Sequence, residues 1–139
     1  MTQTLKRDDG ETLAYTKVEP AANKPTLVWL SGFNSDMSGS KALTVEAFAR
    51  EEGYGYLAFD YFGHGQSSGD FADGTISRWR EDCLAAIDAL SEGPLVLVGS
   101  SMGGWMSLLT ALARKDRVKG MLLIAPAPDF TEKLMWPKL

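Results

Sequence analysis

Cysteine and histidine are almost lacking from this chain, which has one residue of each type among 139. The single cysteine, Cys83, excludes an internal disulfide, and no cluster of cysteine and histidine is left to bind zinc. A chain without disulfides suits a reducing compartment, so we expect a cytoplasmic protein. The single histidine is His64.

Positive charge and long apolar runs are also scarce. The 14 lysines and arginines are outnumbered by 18 acidic residues, and without a basic run we expect neither a nucleic-acid partner nor binding to an anionic membrane surface. The amino terminus lacks the apolar core of a signal peptide, and no segment approaches the roughly 20 apolar residues of a membrane span. With 45% hydrophobic residues and no repeat or linker, the chain is expected to form a single globular domain.

Apolar patterning predicts strands that alternate with helices. Strands are predicted over 2–7 and 12–18, around an Asp9-Gly10 turn, and over 26–30, 55–60, 95–99 and 118–124. Helices are predicted over 41–52, 75–91 and 101–114. This alternation indicates an α/β fold with a doubly wound, mostly parallel sheet, to which the leading hairpin adds an antiparallel edge.

Two of the predicted helices carry further signals. In the first, Leu43, Ala47 and Phe48 are spaced to share one face. The second is an amphipathic helix, and the residues that could cap its amino terminus are Asp73 and Thr75.

The segment GSSMG at 99–103 carries the strongest functional signal. It fits Gly-x-Ser-x-Gly, the nucleophile elbow in which a sharp strand-to-helix turn exposes one serine hydroxyl. The spacing selects Ser101, not Ser100, as the candidate nucleophile. Gly99 and Gly103 are expected to support it, because side chains there would collide across so tight a bend.

A second match to the same pattern serves as an internal control. Residues 65–69 read GQSSG, but they follow a loop and run into 70–74, which we expect cannot start a helix at once. The first match has an apolar strand before it and a helix after it. We therefore interpret Ser67 as a structural loop serine.

An acyl-transfer nucleophile also needs donors for the oxyanion that forms on attack. One candidate is the backbone N–H of Met102, the residue after the nucleophile, at the positive end of the new helix. The other is the N–H of Phe33, in the loop after the strand 26–30, where Gly32 gives the backbone room. The alternative is that residues 31–34 form only a surface turn.

These residues together resemble a known superfamily. The order of elements, GSSMGG and DYFGHGQSSG are similar to the α/β-hydrolases. SGFNSDMSGSKALTVEAFA, FDYFGHGQSSGDF, WREDC and LVGSSMGGWMSLL resemble, more narrowly, the acyl-protein thioesterase and carboxylesterase branch, which includes palmitoyl-protein thioesterases and mycophenolic acid acyl-glucuronide esterase.

The resemblance implies a serine hydrolase that cleaves acyl esters or thioesters without a cofactor or metal. In this superfamily the order along the chain is Ser, then Asp or Glu, then His. His64 precedes Ser101, so it is expected to order its own loop, and Asp60 to brace that loop. The alternative is that His64 is the base, because proteins reach the same arrangement by unrelated chain orders. Asp129 follows the sixth predicted strand but has no histidine to orient.

The same resemblance implies eight strands and a lid. We therefore expect this chain to be the amino-terminal part of one hydrolase domain, truncated after about the sixth strand, with the acid and the catalytic histidine beyond residue 139. Such a chain should have little hydrolytic activity. Its strand 118–124 would be an uncovered apolar edge prone to self-association.

Two alternatives to an esterase remain open. One is a non-catalytic binding module of the same fold, and the other is different chemistry on that fold, such as peptide-bond hydrolysis or perhydrolysis. A haloalkane dehalogenase is disfavoured, because that reaction uses a carboxylate at the elbow. A downstream Asp or Glu and a His in the reading frame would favour the enzyme, and a stop codon after Leu139 would favour the module.

Overall fold

The computed structural model describes residues 3–33 and 35–124. Its strands are β1 (Gln3–Lys6), β2 (Thr12–Val18), β3 (Thr26–Leu30), β4 (Gly55–Phe59), β5 (Leu95–Ser100) and β6 (Val118–Ile124). Its helices are α1 (Ser40–Glu52), α2 (Ile76–Leu90), α3 (Met102–Ala113) and a short 3-10 helix (Phe71–Asp73). Every strand and α-helix agrees with its predicted range to within one residue at each end.

One sheet contains all six of these strands, in the order β1-β2-β4-β3-β5-β6. Strands β3, β4, β5 and β6 are parallel, whereas β1 and β2 pair antiparallel to each other and β2 pairs antiparallel to β4. The predicted α/β class, with a mostly parallel sheet and an antiparallel hairpin at its edge, is confirmed. Because parallel strands end at the same side of a sheet, the loops after β3, β4 and β5 lie side by side there.

Helices cover both faces of the sheet. On one face, α2 and α3 enclose the larger core, whose buried side chains include Leu57, Phe59, Trp79, Cys83 and Met106. On the other face, α1 covers a smaller core that includes Trp29, Ala42, Ala49, Tyr56 and Val98. A doubly wound sheet therefore positions the strand ends between two packed layers.

The apolar face that the sequence predicts for α1 points outward. Leu43 is 51% exposed and Phe48 is 50% exposed, while the buried residues of this helix are Ala42 and Ala49. The reason is close packing, because two alanines let the helix backbone approach β3 and β4, where large side chains would not fit. The larger apolar residues consequently occupy the opposite side of α1.

The segment after the second Gly-x-Ser-x-Gly match was also predicted wrongly. A 3-10 helix begins there at Phe71, because the Asp70 side chain accepts a hydrogen bond of 3.1 Å from the Ala72 amide and thereby caps the turn. The following helix, α2, is capped by Thr75, whose hydroxyl accepts from the Arg78 amide at 3.0 Å. Of the two predicted caps, Thr75 is therefore the correct one.

Strand β6 forms an apolar edge of the described sheet. It pairs with β5, and its outer residues Met121 and Leu122 are 41% and 57% exposed. A cavity of about 590 Å³ opens between β6 and the end of α3. Within residues 3–33 and 35–124, none of the helices is long and apolar enough to cross a membrane.

Candidate active site

Ser101 occupies the sharp turn between β5 and α3. Its backbone has φ 59° and ψ −118°, a conformation that side-chain-bearing residues rarely adopt and that is found preferentially at functional sites. The Ser101 amide donates to the carbonyl of Ile124 at 2.9 Å, and its carbonyl accepts from the Gly104 amide at 2.9 Å. Backbone hydrogen bonds on both sides thus hold the strained residue in place.

The two glycines of this turn are required by close contacts. A Cβ at Gly99 would lie 2.3 Å from the Gly103 carbonyl oxygen, directly across the bend. A Cβ at Gly103 would lie 1.9 Å from the carbonyl oxygen of Leu30, at the end of the neighbouring strand β3. Gly103 is therefore needed less for the turn itself than for seating the first turn of α3 against β3.

The loop after β3 lies against the serine. A Cβ at Gly32 would be 3.3 Å from the Ser101 Cβ and 3.3 Å from the Ser100 carbonyl oxygen, so the backbones approach closely at this point. Phe33 follows Gly32, and Met102 begins α3, where the amides of the first turn have no carbonyl partner within the helix. The two amides expected to bind an oxyanion therefore belong to segments that flank Ser101.

A cavity of about 230 Å³ opens beside Ser101. Its walls are the loop after β3, including Ser31, Gly32 and Phe33, and the start of α1 over residues 39–42. His64 is not among the residues that line it. Within the described ranges no hydrogen bond to the Ser101 hydroxyl is formed.

His64 lies inside a cage of aromatic rings and is 3% exposed. Its ring centroid is 5.1 Å from those of Phe71 and Trp79 and 5.3 Å from that of Tyr61. Its Nδ1 lies 3.1 Å from the carbonyl oxygen of Phe62, and because a carbonyl can only accept, Nδ1 carries the proton. Burial lowers the pKa of His64, which keeps the ring neutral near pH 7.

Asp60 stands at the end of β4 and is 2% exposed. Its two carboxylate oxygens accept from the amides of Met37 at 2.8 Å and Gln66 at 3.0 Å. Burial raises the pKa of Asp60, while these two hydrogen bonds oppose the rise. A Cβ at Gly65 would lie 2.2 Å from this carboxylate, so the loop closes tightly around Asp60.

The serines of the second Gly-x-Ser-x-Gly match bind the loop to β2. The Ser67 hydroxyl donates to the Asp60 carbonyl at 2.5 Å and accepts from the Ala14 amide at 2.8 Å. The Ser68 hydroxyl accepts from the Thr12 amide at 2.7 Å. Both hydroxyls are thus engaged in backbone contacts, whereas the Ser101 hydroxyl makes none with residues 3–33 and 35–124.

Sequence reasoning missed Tyr61 as a contact of this site. Its hydroxyl donates to the Ser31 carbonyl at 2.8 Å, and the Ser31 hydroxyl accepts from the Trp29 indole at 3.0 Å. The sequence contained a signal for this contact, because Tyr61 follows β4, and the end of β4 adjoins the end of β3. A buried tyrosine hydroxyl there needs an acceptor. Asp129, weighed above as an acid, lies outside the described residues.

The strand order, the strained serine and the flanking loop together define an α/β-hydrolase. A family model described as "Serine aminopeptidase, S33" matches residues 21–139. Because this match covers most of the chain, the chain belongs to that family of α/β-hydrolases. The resemblance to the α/β-hydrolase superfamily is thereby confirmed.

Curated relatives include thioesterases and a lipase. "Palmitoyl-protein thioesterase ABHD10, mitochondrial" of Bos taurus is 41% identical over 125 residues, which are 90% of this chain and 40% of the relative. The human protein of the same name is also 41% identical, with the same coverage of both chains. Human monoglyceride lipase is 32% identical over 130 residues, covering 88% of this chain and 42% of the lipase.

Solved structures agree with the fold. "Alpha/beta hydrolase domain-containing protein 10 from mouse" superposes with a TM-score of 0.87 at 38% identity, covering 91% of this chain and 50% of that one. A protein from Agrobacterium vitis S4 described as a hydrolase superposes with a TM-score of 0.90 at 45% identity, covering 100% and 57%. The chain thus spans about two fifths of the length of the curated relatives and about half that of these structures.

Proposed function

We propose that this chain supplies the nucleophile and the oxyanion hole of a serine hydrolase that cleaves carboxylic esters or thioesters of acyl groups. Membership of a hydrolase family with thioesterase and lipase relatives supports the reaction class. The single observation that carries the assignment of the nucleophile is the strained backbone of Ser101 at the wall of a cavity.

The reaction follows from this arrangement. The Ser101 hydroxyl oxygen attacks the acyl carbon while a base takes its proton, and the carbonyl oxygen becomes an oxyanion. The amides of Met102 and Phe33 donate hydrogen bonds to that oxygen. The alcohol or thiol then leaves with a proton, an acyl-serine forms, and water hydrolyses it to the free acid.

The base and the acid that orients it are proposed to follow residue 139, in the remainder of a single hydrolase domain. The coverage is consistent with this proposal, since the chain matches only 40% of the Bos taurus relative and 50% of the mouse structure. His64 and Asp60 are proposed as residues that order the loop after β4. The cytoplasmic location remains a prediction, and the thioesterase relatives carry "mitochondrial" in their names.

Hydrolysis of p-nitrophenyl butyrate by the purified chain tests the assignment. We expect slow turnover that Ser101→Ala abolishes and that His64→Ala lowers without abolishing, because His64 packs against Tyr61. Added imidazole should accelerate it beyond the rate that imidazole alone gives, by supplying a base. Ser67→Ala is the matched control, because it alters the serine of the second motif. Turnover that survives Ser101→Ala would refute the nucleophile, and robust turnover that disappears with His64→Ala would make His64 the base.

Peptide-bond hydrolysis is the second candidate, favoured by the aminopeptidase description of the family model. An aminoacyl p-nitroanilide offered beside the ester distinguishes the two. Faster release from the anilide in a manner dependent on Ser101 would favour the peptidase. A non-catalytic module would instead release neither product faster than the same buffer without protein, with or without imidazole.

A further inference from the structure

We propose that Tyr61 is a positioning residue for the loop that carries the Phe33 amide. The hydroxyl of Tyr61 fixes the Ser31 carbonyl, and through it the backbone that is to meet the oxyanion. This inference rests on the proposed function, which makes Phe33 an oxyanion donor. No motif in the sequence assigns a role to Tyr61.

The hydrogen bond between Tyr61 and Ser31 is direct and buried. The Tyr61 hydroxyl lies 2.8 Å from the Ser31 carbonyl oxygen, and the two residues are 0% and 1% exposed. They are 30 residues apart in the chain, so the bond ties the loop after β4 to the loop after β3. Losing one partner of such a bond leaves a buried carbonyl unsatisfied, which is more costly than losing an exposed bond.

The geometry of the peptide group carries the effect to Phe33. The Ser31 carbonyl and the Gly32 amide belong to one planar peptide unit, so fixing the oxygen fixes the plane. The next peptide contains the Phe33 amide, and only the two dihedral angles of Gly32 separate the planes. The Gly32 carbonyl, in the same peptide unit as the Phe33 amide, accepts from the Ser35 amide at 3.2 Å, which holds this plane within its own loop. Because glycine is conformationally permissive, the bond from Tyr61 is what ties that loop to the segment after β4.

Other contacts also limit the backbone around Ser31. The Ser31 hydroxyl accepts from the Trp29 indole, within the same strand end. Gly103 approaches both the Leu30 and the Ser31 carbonyls, because a Cβ there would lie 1.9 Å and 2.9 Å from their oxygens, and this limits their positions without a hydrogen bond. Tyr61 provides the side-chain donor to the Ser31 carbonyl from outside this loop.

Tyr61 is itself held rigidly. Its ring packs edge-on against Phe59 at 5.6 Å and His64 at 5.3 Å between centroids. Burial raises the pKa of Tyr61 well above its ordinary value, so its hydroxyl keeps its proton and remains a donor. On this view His64 acts at a distance from the reaction, as one wall of the pocket that holds Tyr61.

The chain contains a matched control. Tyr56 is also buried, and its hydroxyl donates to the Ala42 carbonyl at 3.0 Å, on the opposite face of the sheet. Tyr56→Phe therefore removes the same kind of bond as Tyr61→Phe without touching the loop after β3. Each variant loses a single oxygen atom and keeps its aromatic ring.

Backbone order parameters from NMR test the inference without any need for activity. In the wild type we expect values of about 0.85 for the Gly32 and Phe33 amides, falling below about 0.6 in Tyr61→Phe. Tyr56→Phe should match the wild type at both positions. Unchanged order parameters in Tyr61→Phe, or an equal fall in both variants, would overturn the proposal.

A chemical measurement links the loop to the reaction. The rate at which a fluorophosphonate modifies Ser101 should fall by roughly tenfold or more in Tyr61→Phe, because a donor of the oxyanion hole is displaced, and not in Tyr56→Phe. Absence of modification in the wild type would count against the proposed function, while the order parameters still decide the role of Tyr61.

The wild-type protein provides a further check if Tyr61→Phe does not fold. The hydroxyl proton of Tyr61 should exchange slowly with water and give its own resonance, with a cross-peak to the Gly32 amide. A hydroxyl proton in rapid exchange with solvent would overturn the proposal.

Discussion

Gly103, in the first turn of α3, and Gly120, in β6, show what one added carbon atom does at two positions of different packing. A Cβ at Gly103 would lie 1.9 Å from a backbone oxygen of β3, whereas a Cβ at Gly120 would find its nearest neighbour, a Val96 methyl, at 4.0 Å. We expect Gly103→Ala to lower the free energy of unfolding by roughly 3 kcal/mol, because α3 must move away from β3. Urea denaturation provides the measurement.

Gly120→Ala is the control for that experiment. It adds a methyl group in open space within a strand, where removing glycine should be neutral or stabilising by about 0.5–1 kcal/mol. If both variants unfold at the same urea concentration, α3 is not seated on β3 as described.

At the level of elements, Asp82 of α2 joins three parts of the chain. Its carboxylate accepts from the Phe62 amide at 2.8 Å and from Arg78 Nε at 3.2 Å, and it also binds Arg7, which follows β1. We expect Asp82→Ala to cost roughly 3–5 kcal/mol in the free energy of unfolding, since it leaves a buried amide and two guanidinium groups without this acceptor. Thermal or urea unfolding would measure the loss.

Asp88, on the same helix, is the matched control. Its carboxylate pairs with Arg114, but its side chain is 46% exposed, and exposed ion pairs contribute at most about 1 kcal/mol. A loss for Asp88→Ala as large as that for Asp82→Ala would contradict the distinction between the two pairs.

The elements of this protein were largely predictable, whereas some of their contacts were not. Short-range apolar patterns located β3, β5 and α2, and the glycine spacing located the turn at Ser101. The outward direction of Leu43 could not be predicted, because it depends on how closely α1 packs on β3 and β4, which the spacing within the helix does not show. The bond from Tyr61 to Ser31 depends in the same way on the order of strands in the sheet.

At the scale of the whole molecule, the apolar edge at β6 predicts concentration-dependent association. In the sheet that residues 3–33 and 35–124 form, β6 pairs on one side only, with β5, and its Leu122 is 57% exposed. A strand edge of this kind is a template for pairing with another chain. We expect sedimentation to show a mean mass that rises with concentration, and Leu122→Lys to shift it toward the monomer.

Leu43→Lys is the control, because Leu43 is similarly exposed, at 51%, but lies on α1. It should associate as the wild type does. If both substitutions reduce association equally, the association is nonspecific and hydrophobic, which would contradict a role for the β6 edge.

The central claim is that Ser101, and not the serine of the second matching motif, is the nucleophile. Its most direct test is to treat the purified chain with a fluorophosphonate and to locate the modified serine by peptide mass spectrometry. We expect slow but selective modification of Ser101, since an oxyanion hole retains activity without the other members of a triad. Modification of Ser67, or an even distribution over the exposed serines, would contradict the claim.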